Sequence, residues 1–365
     1  MSRVSIIIPT YNHAPFVLDA VDCALKQDYP DKEIIVIDDG STDNTKDLLK
    51  PYVEAGRIIY HYQKNSGLAA ARNAGLRLCK GEVVKFLDSD DLIYESLISR
   101  QMEDMKSSGT GLTYCDYENL YVAEGIKRFV RTESPGNYSG LAYFIKANPA
   151  PVHAFLVKKD LAMATGGFDE TLKAQEDLDL WLRLLLKGCG MFKGNYVGCI
   201  YRIFPETMSS DDSRMFEQKC RVFEKLNGFF LESRELFSKQ EKAMLLGQDM
   251  ELIYKSMAKG KRASAMIPAA WKVSRLMLSS FDAGVIRAGL VRLLGLNAFL
   301  RLALLKKQVL NQDYIRRIKR SEIWWRDSGR HSVPGAPPSH RGSHENSNST
   351  HKDSLHKWFG IALRR

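Results

Sequence analysis

Val4-Ser5-Ile6-Ile7-Ile8 is a nearly continuous run of β-branched residues that stops at Pro9. A strand that is apolar on both faces belongs inside a parallel sheet. Ala14 to Gln27 changes period: Val17, Ala20, Val21, Ala24 and Leu25 fall on one helical face. Glu33 to Ile37 is a second buried strand. The turn-forming residues Asp38-Asp39-Gly40-Ser41-Thr42-Asp43 follow it, and a helix begins at Thr45. Ile58 to Tyr62 reads as a third strand and Leu68 to Cys79 as an alanine-rich helix carrying Arg72 and Asn73. Glu82 to Leu87 is a fourth strand that runs into Asp88-Ser89-Asp90-Asp91. Lys85 places a charge inside that strand, where snorkelling and a phosphate contact both stay open. Strands and helices alternating in this way predict an α/β fold, with an open parallel sheet flanked by helices on both faces.

The pattern then becomes mixed. Tyr94 to Lys106 is helical. Gly111 to Val130 reads as antiparallel strands with polar turns at Glu118-Asn119 and Glu124-Gly125. Ser139 to Lys146 predicts a short helix and His153 to Lys158 a strand. Gly166-Gly167-Phe168-Asp169-Glu170 is a loop. Asp177 to Lys187 is a strongly apolar helix with Leu178, Trp181, Leu182 and Leu185 in register, and Met191 to Ile203 is extended. From Met215 to Trp325 helical spacing dominates, through 241–257, 263–278 and 286–309, with a turn at Lys259-Gly260-Lys261. Arg326 to Ser354 is rich in Ser, Gly, Pro, His and Asn and predicts a disordered tail. These shifts divide the chain at 1–105, 106–213, 214–325 and 326–365.

Composition adds charge to this picture. Of 365 residues 44% are hydrophobic, enough for one large or two modest cores, and the net charge is +10. A basic chain favours acidic partners: nucleotides, nucleic acid or an anionic membrane. Arg287, Arg292, Arg301, Lys306 and Lys307 interleave with leucines, and Leu355 to Arg365 repeats the pattern at small scale. Both read as basic amphipathic surfaces suited to an anionic membrane. The helices lack the aromatic interleaving of single-strand binders, and no helix-turn-helix or zinc spacing occurs, so nucleic acid is not expected. Cys23, Cys79, Cys115, Cys189, Cys199 and Cys220 form no C-x-x-C pair, which points to reduced thiols in the cytoplasm. Five of the eight histidines lie in the tail at irregular spacing, unlike a metal site. No signal peptide and no run of about 18 apolar residues is read.

The chemistry concentrates where strands end. In an open α/β sheet ligands bind beyond the carboxyl ends of the strands. Three such ends are unusually polar: Tyr11-Asn12, Asp38-Asp39 and Asp88-Ser89-Asp90. Carboxylates crowded at a strand end repel one another unless a cation intervenes. A hard divalent metal with oxygen ligands, Mg²⁺ or Mn²⁺, meets that need and brings phosphate with it. The alternative is a solvated acidic turn. No G-x-G-x-x-G follows the first strand and no phosphate-loop motif occurs, so dinucleotide oxidoreductases and P-loop enzymes are disfavoured.

Taken together and in order, several segments resemble family 2 glycosyltransferases of the GT-A fold. They are Val4 to Asn12, Glu33 to Asp43, Asn65-Ser66-Gly67 with Ala71-Arg72-Asn73, Asp88-Ser89-Asp90 as the D-x-D motif, and Gly166 to Glu170 followed by Glu176-Asp177. The resemblance runs from about Val4 to about Met208. It implies a Rossmann-like GT-A domain with an open mixed sheet, residues 1–105 binding the nucleotide sugar and 106–213 the acceptor. A C-terminal helical extension and a disordered tail lie outside it. It further implies inverting, nonprocessive transfer of a sugar from a nucleoside-diphosphate donor, a uridine donor first, to a hydroxyl of a glycan or lipid-linked acceptor. By the same resemblance Asp90 is the principal metal ligand, with Asp88 reaching the metal or ribose and Asp91 in support. Pro9, Tyr11, Asp39, Asn65, Gly67 and Arg72 surround the donor, and Arg202 closes over the diphosphate. Asp177 is the general base and Glu176 orients it or the acceptor. The Gln-x-x-Arg-Trp signature of processive synthases is absent; Leu180-Trp181-Leu182-Arg183-Leu184 stands nearby instead.

Two other readings compete. A nucleotidyltransferase of similar fold would carry a glycine-rich, lysine-bearing loop after the first strand, which Pro9 to His13 does not provide. A non-enzymatic basic protein binding membrane or nucleic acid would explain the charge and leave the carboxylates unused. The expected location is the cytoplasmic face of a membrane, peripherally held; self-association stays open.

Overall fold

The computed structural model describes residues 2–132, 139–146, 148–204, 211–238, 240–242, 244–245, 248–249 and 252. These residues belong to one compact unit, Met1–Ser274. The helices expected beyond 252, the turn at Lys259-Gly260-Lys261, the tail and the terminal basic segment lie outside the described residues.

The described strands are β1 (Val4–Thr10), β2 (Lys32–Asp38), β3 (Ile59–Tyr62), β4 (Val83–Phe86), β5 (Leu92–Ile93), β6 (Leu112–Tyr121), β7 (Ile126–Val130), β8 (Phe155–Lys158) and β9 (Met191–Ile203). The helices are α1 (Ala14–Leu25), α2 (Thr45–Glu54), α3 (Leu68–Leu78), α4 (Leu97–Ser108), α5 (Gly140–Lys146), α6 (Lys159–Ala164), α7 (Glu176–Leu186) and α8 (Asp212–Glu232). One sheet runs β3-β2-β1-β4-β8-β6-β9-β5, with β7 paired to β6. β3, β2, β1 and β4 are parallel. β8 then inserts antiparallel between β4 and β6 and joins the two halves of the chain into one sheet. The expected open mixed sheet flanked by helices is what the residues build.

The core follows the hydrophobic pattern. Every residue of β1 is buried, and α1 buries Val17, Ala20, Val21 and Ala24. Helix α3 lies against β1 because its inner face is small: at Gly75 a Cβ would stand 2.3 Å from Ile7 Cγ2. That close approach carries Arg72 and Asn73 into the interior, where an isolated helix would never place them. Asn73 then pins the glycine loop. Its Nδ2 donates to the Phe168 carbonyl at 2.9 Å and its Oδ1 accepts from Phe168 N at 2.8 Å. Gly167 suits this contact: its φ is +72° and a Cβ would lie 2.5 Å from Asn73 Oδ1. Helix α7 is anchored by Trp181, which is fully buried and stacks on Phe155 at 4.7 Å between ring centres.

Three local expectations change. Glu118-Asn119 is not a turn: β6 runs unbroken to Tyr121, because β7 on one edge and β9 on the other satisfy its backbone. Glu118 accepts from Tyr94 Oη at 2.6 Å. The two-residue β5 before α4 and the short α6 after β8 carry too little periodicity to be read from sequence. Lys85 does not snorkel and does not line the cleft described below; it is fully buried and donates to Gln101 Oε1 at 2.7 Å. Burial pushes its ammonium down to about 8.

Candidate active site

The parallel strands deliver four loops to one edge of the sheet, and a cleft of about 1030 Å³ opens there. Pro9, Tyr11, Asp39, Asn65, Gly67, Arg72, Asp88, Asp90, Glu176 and Asp177 all line it, so residues far apart in the chain meet as expected. Tyr11 is half exposed at the rim. Asp39 is buried and organises its neighbours: Gln63 Nε2, Ser66 N and Gly67 N donate to its carboxylate at 2.7, 2.9 and 2.8 Å. A carboxylate has about four lone-pair sites, so little beyond one is left for a ligand. Asp39 therefore shapes the loop that carries Asn65 and Gly67 in addition to lining the cleft.

Arg72 joins the two walls. It is buried, and its Nη2 donates to Asp88 Oδ1 and its Nη1 to Glu176 Oε1, each at 2.6 Å. The guanidinium also lies over the Phe168 ring, 5.3 Å from its centre. Burial works against its charge, but the carboxylates of Asp88 and Glu176 outweigh burial and hold its pKa above the ordinary value. Glu176 thus pairs with α3 and does not merely begin a helix.

Asp177 enters the cleft from the first turn of α7. Gln175 before it adopts a left-handed conformation, φ +62°, a backbone state uncommon outside glycine and asparagine. That kink turns two consecutive carboxylates in different directions, Glu176 onto Arg72 and Asp177 toward Asn148. Leu178 N donates to Asp177 Oδ1 at 2.7 Å and Asn148 Nδ2 to Oδ2 at 2.9 Å. Burial, with help from neighbouring Glu176, pushes the Asp177 carboxyl up to about 6. A carboxylate at that value is suited to take a proton near neutral pH.

The turn Asp88-Ser89-Asp90-Asp91 lines the same cleft. Burial and then Asp88 raise the Asp90 carboxyl above its usual range; burial, Asp90 and Asp88 raise Asp91 further. Asp91 Oδ1 accepts from Arg202 N at 2.7 Å. Its Oδ2 lies 3.1 Å from His153 Nδ1 but off the line of a hydrogen bond; that oxygen and both ring nitrogens of His153 are buried without a hydrogen-bond partner. Burial pushes the imidazole down to about 3, which keeps it neutral. Asp88, Asp91 and His153 offer ligand atoms within 4.8 Å of one another. Crowded carboxylates and a neutral imidazole with unsatisfied buried atoms fit a divalent cation. Asp90 is outside this trio and faces the same cleft.

Arg202 does not line the cleft. It lies behind the carboxylate turn, where Nη1 pairs with Asp19 at 2.7 Å, Nε donates to the Asp90 carbonyl, and the head stacks on Phe16 at 5.3 Å. Its visible task is to hold the turn in place. The residues Met208-Ser209 that follow are outside the described set. Sequence reasoning passed over His13, Asn148 and His153. His13 Nδ1 lies 2.8 Å from Ser89 Oγ at the cleft wall. Asn148 and His153 flank Pro149 and Pro151 in one short connection. Polar residues on either side of a pair of prolines were the available signal.

Comparison with known proteins bears on the family and the fold. The sequence model of glycosyl transferase family 2 matches residues 5–155. The chain is 31% identical over 229 residues to the Escherichia coli UDP-Glc:alpha-D-GlcNAc-diphosphoundecaprenol beta-1,3-glucosyltransferase WfaP, covering 62% of this chain and 87% of that protein. It is 28% identical over 227 residues to the putative teichuronic acid biosynthesis glycosyltransferase TuaG of Bacillus subtilis, covering 61% and 88%. Of longer relatives the chain spans only a part: 26% of an uncharacterized glycosyltransferase of Rickettsia bellii and 58% of one of Rickettsia typhi. Among solved structures it resembles S. aureus TarS, with a TM-score of 0.54 at 18% identity over 77% of this chain and 49% of that one. TarS 1–349 in complex with UDP-GlcNAc gives 0.51 at 17% identity, covering 71% and 92%. The fold is of the GT-A type. The chain belongs to glycosyl transferase family 2.

Proposed function

We propose that this chain transfers a sugar, with inversion and one or few units at a time, from a nucleoside-diphosphate donor to an acceptor hydroxyl. The observation that carries this reading is the placement of Asp177 and the Asp88 to Asp91 turn on one cleft, with Arg72 spanning the interval between Asp88 and Glu176. Tyr11 offers an aromatic face for the base, and Asp39, Asn65 and Gly67 line the nucleoside side. The acceptor hydroxyl attacks the anomeric carbon while Asp177 takes its proton. The new C–O bond forms as the bond to the diphosphate oxygen breaks, and the nucleoside diphosphate leaves with the electron pair. A carboxylate that removes a proton from the far side of the sugar gives inversion in a single displacement.

Asp90 and Asp88, with Asp91 and His153 behind them, are the residues that would hold Mn²⁺ or Mg²⁺. When bound, the cation offsets the charge that gathers on the departing diphosphate. A uridine donor is the first choice, since the E. coli relative is described as a UDP-Glc enzyme. That relative acts on a diphosphoundecaprenol-linked sugar, so a lipid-linked or cell-surface glycan acceptor at the cytoplasmic face of a membrane is proposed here as well. The net charge of +10 supports peripheral binding to anionic lipid; among the described residues no helix is long and apolar enough to cross a membrane. The test is release of nucleoside diphosphate from UDP-glucose, UDP-N-acetylglucosamine and GDP-mannose, with an N-acetylglucosamine-diphospho-lipid as acceptor. Acceptor-dependent turnover of a uridine donor is expected. No turnover of any of the three rejects this donor and acceptor class.

A further inference from the structure

Asn148 stands out among polar residues of the cleft. It is the last described residue before Pro149, and a residue preceding proline is driven out of the helical region into extended backbone. The connection from α5 to β8 is stiffened twice, by Pro149 and Pro151, so the aim of the Asn148 side chain is set by the chain itself. That aim is at the carboxylate of Asp177: Nδ2 donates to Oδ2 at 2.9 Å, while Oδ1 is buried and has no partner. An amide placed for stability alone would use both ends, since an unsatisfied buried carbonyl is costly. Here one end is left unpaired and the other holds one oxygen of the proposed base.

We infer that Asn148 is a positioning residue: its Nδ2 fixes the Asp177 carboxylate in its ionised form and turns it toward the acceptor. This rests on the reading of Asp177 as the base. The groups facing Asp177 are few. Arg72 from α3 and the Asn148 amide favour the charged carboxylate, as does Leu178 N from its own helix; Glu176 beside it, together with burial, opposes the charge. Arg72 is already shared by Asp88 and Glu176. Among the described residues, the Asn148 amide therefore supplies the hydrogen-bond donor from another element, and Leu178 N donates to the other oxygen. A donor to a carboxylate favours its charged form, so removing the donor must raise the carboxyl further.

The test needs no substrate. The full chain, labelled with ¹³C at aspartate carboxyl carbons, is titrated by NMR, and the Asp177 signal is identified by its loss in Asp177→Asn. The parent midpoint is expected near 6. Asn148→Leu, which keeps the branched outline and loses the donor, is expected to raise it by about one unit, and Asn148→Ser, which restores a donor, to bring it part of the way back. Thermal melts confirm that each variant is folded; if Asn148→Leu is not, Asn148→Ser against the parent carries the comparison, with a rise of less than a unit expected. A midpoint that stays put or falls on loss of the amide overturns the inference, since a merely structural role would change the melt and leave the titration alone. Turnover by Asp177→Asn is measured separately. Activity equal to the parent removes the base assignment, while an inactive Asp177→Asn beside an unmoved titration in Asn148→Leu removes only the role of Asn148.

Discussion

Asp177→Asn is expected to lower sugar transfer by about 10²–10⁴-fold, the usual contribution of a positioned general base. The donor should bind as before, within about twofold, because the carboxylates of Asp88 and Asp90 are untouched. The asparagine keeps the shape and can still accept from Leu178 N, while its amide nitrogen replaces the oxygen that accepts from Asn148 Nδ2, so the Asn148 amide must turn over and present its unpaired Oδ1 to keep that contact. The fold should not suffer. A carboxyl raised to about 6 in the folded state costs stability once it ionises: its contribution is full at low pH and is lost as pH rises from the ordinary value through 6. The neutral amide removes that cost, so the variant should melt at or above the parent temperature at pH 7.5. The same sign sets the pH profile of the parent. Transfer should fall below about pH 6, where the base is protonated, and that limb should vanish in the residual activity of Asp177→Asn. Initial rates across pH 5 to 8 for both proteins check all of this.

Arg72→Met is expected to cost the most stability. Arg72 is buried and its two carboxylate partners belong to different parts of the chain, Asp88 at the end of β4 and Glu176 at the start of α7. Removing one member of a buried ion pair leaves an uncompensated charge, which costs about 3–5 kcal/mol. Two carboxylates lose their cation here, and a typical domain has only about 5–15 kcal/mol in hand. Loss of most cooperative unfolding signal in a urea titration is the expected outcome. Adding Glu176→Gln to Arg72→Met should recover part of the loss, because one of the stranded charges is gone. Arg72→Lys should not match the parent, since an ammonium cannot span both carboxylates in the forked geometry of a guanidinium. A fully stable Arg72→Met would show that the bridge between the two walls is incidental.

Much of this was legible in the chain. The four parallel strands announced themselves as apolar runs, and each ended at a turn-forming or carboxylate-rich segment, so the edge at which the site lies followed from strand order. What was hidden depended on partners distant in sequence. Arg72 could be read as a donor contact, but not as the link between Asp88 and Glu176, because no local pattern encodes a pairing across 104 residues. Arg202 looked like a cation for phosphate. Only the packing of β9 against the carboxylate turn shows it spent on Asp19, the Asp90 carbonyl and Phe16. Lys85 left snorkelling and a phosphate contact open, and its partner, Gln101 on α4, is distant from any local pattern. His153 read as the first residue of a strand, and its approach to Asp91 required β8 to lie beside β4. Glu118-Asn119 had the composition of a turn, and cross-strand pairing on both edges overrode it.

The account rests on a cation-dependent grip on the diphosphate at the Asp88 to Asp91 turn. Calorimetric titration of the full chain with UDP and with GDP, in Mn²⁺ and again after chelation, tests it directly. One saturable site is expected for at least one of the two nucleotides, weakened by roughly tenfold or more when Mn²⁺ is withdrawn or Asp90 is replaced by Asn, a change of about 1.4 kcal/mol. Binding that ignores both the chelator and Asp90→Asn, or no binding of either nucleotide, would contradict it.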